Sequence, residues 1–316
     1  MVVFTFLFIF SLLIPYLAKL AIILKKNKIA IFAQNKIEMK LFTPVPTPHS
    51  SVRIHPGNKI ALVGSCFTDS FAERFISAGF EVLHNPFGTL YNPLSIELAL
   101  HRLKSGRPFS ESDCVKMGAG CGKICSFFHH TTFARDDSNA FLDNANKKLE
   151  EAHEAWESVS TVVVTLGTAW VWKHAGNVVS NCLKRPGTEF SHELMSPEDV
   201  RDCILKMKDE CPDKEFIFTI SPVRHRNSHE NILGKSSLFL GLEGTSVCYF
   251  PSYEILMDEL RDYRFYAQDM IHPSQTAMDI IWERFLDATT DKDDRALIEE
   301  NTRAAAHRAH RPILKD

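Results

Sequence analysis

Lys59-Ile60-Ala61-Leu62-Val63-Gly64-Ser65-Cys66-Phe67 is a short apolar run stopped by a glycine and followed by apolar residues at helical spacing. The run 60–63 is uncharged and predicts a strand buried on both faces. Phe67, Phe71 and Phe75 recur at every fourth position and predict a helix over 68–78. This strand–turn–helix unit sets Ser65 at the carboxyl end of a strand, beside a helix N-terminus. Unpaired N–H groups and partial positive charge there favour an oxyanion. Ser65 then has two readings. It is a nucleophile, or it caps the helix, the commoner role of serine at such a turn.

Outward from this unit, strands and helices alternate. Strands are predicted at 80–83, 124–128, 161–166, 215–220 and 247–250, and helices at 94–103, 139–157, 229–240 and 274–286. Thr161-Val162-Val163-Val164-Thr165-Leu166 carries the strongest strand signal, being β-branched, apolar and closed by Gly167. Val171-Trp172 and Val178-Val179 flank Ala175-Gly176-Asn177 and predict a hairpin. Ser196-Pro197 opens a further helix, with serine as cap and proline at the first helical position. Short buried strands separated by helices predict a parallel sheet covered on both faces. Ligands of such folds collect at the carboxyl ends of the strands.

The 316 residues suffice for one large α/β core, and 45% hydrophobic with 24% charged residues is ordinary globular composition. A net charge of −3 without a basic stripe argues against a nucleic-acid partner. The eight cysteines form no Cys-x-x-Cys pair and read as reduced thiols of a cytoplasmic protein. Cys121-x-x-x-Cys125 with His129 and His130 is short of a zinc pattern. Residues 1–38 stand apart. Val2 to Leu24 is nearly continuous apolar sequence followed by Lys25-Lys26, which suits an inner-membrane anchor with the rest of the chain on the cytoplasmic side. The same residues also read as translated A/T-rich sequence upstream of a start at Met39, the favoured expectation, and only the first reading implies a membrane partner. Residues 39–290 are the expected α/β domain, and 291–316 form a charged, alanine-rich tail.

A hydroxyl nucleophile needs a base, and the base an orienting group. Asp269-Met270-Ile271-His272 supplies both at Asp-x-x-His spacing. On a tight turn the carboxylate reaches the ring Nδ1–H and leaves Nε2 free to take a proton. A solvated aspartate and a capping histidine are the plainer alternative. The N–H groups of Gly88 and Gly167 and the amide of Asn181 are candidate oxyanion donors, each otherwise a turn residue. His225 is a second-choice base or a pocket-lining residue. Cys66 competes as nucleophile, with inward packing expected for its thiol. Tyr91, Trp170 and Trp172 are candidates for stacking on a sugar ring. No metal or organic cofactor is implied.

Leu62-Val63-Gly64-Ser65-Cys66-Phe67 resembles the signature of the GSCFA family, of the SGNH (GDSL-like) hydrolase superfamily. Asn85-Pro86-Phe87-Gly88-Thr89-Leu90-Tyr91-Asn92-Pro93, Leu166-Gly167-Thr168-Ala169-Trp170-Val171-Trp172, Ser221-Pro222-Val223-Arg224-His225 and Asp269-Met270-Ile271-His272-Pro273-Ser274 follow in the family's order. The resemblance implies an α/β fold: a three-layer α/β/α sandwich on a flavodoxin-like parallel sheet. It implies a serine esterase site with Ser65 as nucleophile, His272 as base, Asp269 as orienter and Gly88 as oxyanion donor. The implied substrate is a small-molecule or carbohydrate O-acyl ester, or such a ligand merely bound. In the third block Ala169 stands where the superfamily has an oxyanion asparagine, so either Asn181 on the hairpin replaces it or the oxyanion hole has fewer donors.

Overall fold

In the computed structural model the chain divides into 1–43 and a compact unit from 44 onward. The described residues are 42–309, apart from positions 48 and 226. The apolar segment 1–38 and its two readings lie outside them.

Five parallel strands form the central sheet: β1 Lys59–Gly64, β2 Glu81–His84, β5 Val159–Leu166, β9 Glu215–Ile220 and β10 Cys248–Phe250, in the order β2-β1-β5-β9-β10. Between them run a two-residue hairpin (β3 Val115–Lys116, β4 Ile124–Cys125) and a small antiparallel sheet of β6 Trp170–His174, β7 Asn177–Val179 and β8 Phe190–Leu194. The long helices are α1 Phe67–Ser77, α2 Pro93–Ser105, α3 Ser138–Glu157, α4 Pro197–Glu210, α5 Ser228–Leu242, α6 Gln275–Thr289 and α7 Lys292–Ala309.

Alternation along β1 builds the three layers. Ala61 and Val63 enter the core shared with α2, α3 and α4, while Ile60 and Leu62 enter the core shared with α1 and α6. The same split runs through β5, with Val162 and Val164 on the first side and Val163 on the second. Both faces of the sheet are covered, which is why apolar residues stand on both faces of β1, β5 and β9. The strand order is that of flavodoxin-like sheets, and β1 and β5 flank the point where the winding reverses.

Two segments differ from expectation. The strand predicted at 124–128 ends at Cys125, because Ser126 turns the chain and its hydroxyl meets His129 Nδ1 at 2.7 Å. Strand β8 was not predicted: Phe190-Ser191-His192-Glu193-Leu194 is a polar edge with a weak apolar signal. The tail is helical through Ala309, with Ile298 buried and Asn301 Nδ2 donating to the Ala78 carbonyl at 3.0 Å. No described helix is long and apolar enough to cross a membrane.

Candidate active site

Gly64 ends β1 at φ +141°, and a Cβ there would come within 2.2 Å of the Thr165 carbonyl oxygen on β5. Only glycine lets the two strand ends meet this closely. The turn is held from the next loop by Asn85, at φ 38°. Its Oδ1 accepts from Gly64 N–H at 2.9 Å and its Nδ2 donates to Thr68 Oγ1 at 2.8 Å. Thr68 in turn donates to the Ser65 carbonyl at 2.8 Å.

Ser65 does not occupy the place expected of it. It is 1% exposed, and its Oγ has no hydrogen-bond partner. Its Cβ lies 3.3 Å from where a Cβ on Gly167 would be. It neither faces His272 nor caps α1, since the cap position belongs to Cys66 and no side chain caps that helix. The half-buried Cys66 Sγ lies 3.6 Å from His272 Nε2. The expectation that the cysteine would pack inward and the serine face the base is therefore reversed. Residue 65 still follows the strand and points beneath Gly167. Residue 66 has helical φ and ψ (−56°, −15°) and turns its side chain toward the base.

Asp269 and His272 meet within one turn. His272 Nδ1 meets Asp269 Oδ2 at 2.6 Å, and Asp269 Oδ1 accepts the N–H groups of Ile271 and His272 at 3.0 Å each. Met270 pays for this geometry with φ 58°, a left-handed backbone unusual for a side chain of its size. The His272 N–H, then its ring, then the Ile271 N–H hold the Asp269 carboxyl well below the usual carboxylate range. The Nδ1 contact leaves Nε2 as the ring nitrogen that faces Cys66 Sγ.

Burial, then the Asp69 charge, pushes the Cys66 thiol up; its own N–H, Lys235 and the Phe67 N–H act the other way. These surroundings favour the thiol over the thiolate. Asp69 is itself paired with His84 Nε2 at 2.9 Å.

The other predicted residues take structural places. Gly88 N–H donates to the Asn85 carbonyl at 2.7 Å, and Gly167 N–H to the Tyr91 carbonyl at 2.8 Å, so both donors are engaged within the fold. Asn181 Oδ1 accepts from Leu183 N–H at 2.8 Å, bracing the turn after β7. Ala169 is buried in the core. His225 is exposed, with Nδ1 3.9 Å from Glu230, but the preceding Arg224 N–H donates to the Ile271 carbonyl at 3.2 Å and so touches the base loop. Cys121 is exposed while Cys125 is buried against the His130 carbonyl, and no described cluster of His, Cys, Asp or Glu is arranged to hold a metal. Trp172 stacks on His192 at 4.1 Å, and Trp170 on the same ring at 4.7 Å.

Tyr91, a stacking candidate from the sequence, lies near the thiol, and Lys235 carries a signal that motif reading passes over. Tyr91 is exposed, and Cys66 and Asp69, after burial, raise its phenol. Lys235 sits on the buried stripe of α5 with Asn231 and Leu238, where a lysine is out of place.

A flavodoxin-like α/β protein with an Asp–His pair facing a cysteine-bearing turn at the sheet's switch point is the class these features define. The chain belongs to the GSCFA family, whose profile matches residues 59–285. Among solved structures it is similar to the psychrotrophic esterase EstA from Pseudoalteromonas sp., determined inhibited by monoethylphosphonate. The identity is 11%, the match covers 73% of this chain and 96% of that one, and the TM-score is 0.35. No curated protein is significantly similar in sequence.

Proposed function

We propose that this chain hydrolyses an O-acyl ester by covalent catalysis, with Cys66 as nucleophile, His272 as general base and Asp269 as the group that orients it. The observation that carries the reading is the Cys66 Sγ to His272 Nε2 contact of 3.6 Å, backed by the 2.6 Å Asp269 contact. The thiol proton passes to Nε2 as sulfur attacks the ester carbonyl. The oxyanion forms beside the N-terminus of α1, where the Cys66 and Phe67 N–H groups and the helix dipole favour negative charge. Collapse expels the alkoxide, which takes the proton back from His272 and leaves a thioester on Cys66. His272 then deprotonates water, which attacks the thioester and releases the acid and the thiol. A carbohydrate O-acyl ester, the substrate class suggested by the family resemblance, is the first to assay.

A second reading has its own support. Gly88 and Gly167 use their N–H groups internally and Ala169 offers no side-chain amide, which favours a domain that binds an acyl or sugar ligand without turnover. An ester panel of p-nitrophenyl acetate and acetylated sugars separates the two. Turnover is expected to fall at least about 100-fold in Cys66→Ala and His272→Ala. Ser65→Ala is expected to stay within a few-fold of wild type and to be at least as stable, because it removes a buried hydroxyl that has no partner. Turnover lost in Ser65→Ala but kept in Cys66→Ala would return the nucleophile to the serine. No turnover with any ester would favour the binding domain.

A further inference from the structure

Lys235 is 3% exposed, and among the described residues no carboxylate pairs with it. A buried ammonium without an acidic partner is costly and calls for a reason. Its Nζ donates to the Gly167 carbonyl at 2.7 Å and to the Ser221 carbonyl at 2.6 Å, with the Tyr253 ring 5.6 Å away.

Those two carbonyls belong to opposite halves of the site. Gly167 follows β5, packs against Ser65 and donates its N–H to Tyr91. Ser221 follows β9 and begins the segment whose Arg224 N–H holds the Ile271 carbonyl, one residue before His272. One amine thus joins the loop behind the thiol to the segment that contacts the His272 loop, beside the ladder bond from Ser221 N–H to the Leu166 carbonyl at 2.9 Å. We propose that Lys235 is the positioning residue of this site, tying the ends of β5 and β9 so that Cys66 and His272 stay within reach of each other. This rests on the reading of Cys66 and His272 as a working pair. Burial pushes the amine down to about 7, and even uncharged it retains N–H donors for both carbonyls.

The test is a double-mutant cycle read by iodoacetamide alkylation of Cys66, followed by peptide mass spectrometry at neutral pH, so that it needs no ester substrate. In the otherwise wild-type chain, His272→Ala is expected to slow alkylation roughly tenfold or more, since it removes the base. In a Lys235→Met background the same change is expected to have an effect within about twofold, because the pair is already uncoupled. Lys235→Arg, which keeps donors for both carbonyls, is expected to restore the dependence on His272. An undiminished His272 effect in folded Lys235→Met overturns the proposal. Should the methionine variant not fold, hydrogen exchange in the wild-type chain decides. Gly167 and Arg224 N–H are expected to be protected together with β5 and β9, and fast exchange at Arg224 overturns the tie. Coupling between Cys66 and His272 without ester turnover would support Lys235 and remove the ester reading instead.

Discussion

His129 is fully buried, with the rings of Phe109 and Phe133 at 4.5 Å and those of Phe141 and Phe87 at 5.5 and 5.7 Å. Its Nδ1 meets Ser126 Oγ and its Nε2 has no partner. Burial, with Arg102 adding to it, pushes the imidazole down to about 3. The unfolded chain therefore binds a proton near pH 6.5 that the folded chain refuses. Stability from this residue is fully present above that pH and is lost as pH falls toward the folded value. Urea titrations are expected to show a loss of about 2 kcal/mol between pH 7 and pH 5, and His129→Phe is expected to flatten that slope. An equal slope in both proteins would place the acid sensitivity elsewhere. The sequence shows a histidine beside Phe127 and Phe128; that Phe109, Phe133 and Phe141 close over it depends on segments brought together by folding.

At the scale of elements, the site depends on how strand ends are fastened to each other. Asn85, just past β2, holds Gly64 and Thr68 on the far side of β1. Asn85→Ala leaves the Gly64 N–H without its acceptor, and a buried donor left unpaired costs about 1–3 kcal/mol. That loss is the expected result in urea unfolding. Thiol alkylation at Cys66 in the same variant is expected to lose part of its dependence on His272. Elements defined by their own residues were legible: β1, α1, β5 and the serine-capped α4 follow from apolar spacing and caps. Strand β8 was not, because pairing with β6 supplies what its own residues lack.

Across the whole molecule, the cysteines report on both the site and the cores. Cys125, Cys203 and Cys211 are buried, Cys66 is half-buried, and Cys121 is exposed. Native-state alkylation is expected to modify Cys121 first and Cys66 in step with His272. The three buried thiols are expected to react only when the sheet unfolds. Early modification of Cys203 or Cys211 would mean that the α4 side opens locally, at a lower free energy than the sheet. The sequence by itself determined the strand–turn–helix unit and the alternation that builds the parallel sheet, and offered Asp269 and His272 as one of two readings, because each rests on apolar periodicity or on spacing within a few residues. Only the tertiary structure decided which of Ser65 and Cys66 meets the base, which glycine N–H groups are engaged and what Lys235 holds. Those outcomes depend on side-chain direction at one turn and on carbonyls from strands far apart in the chain.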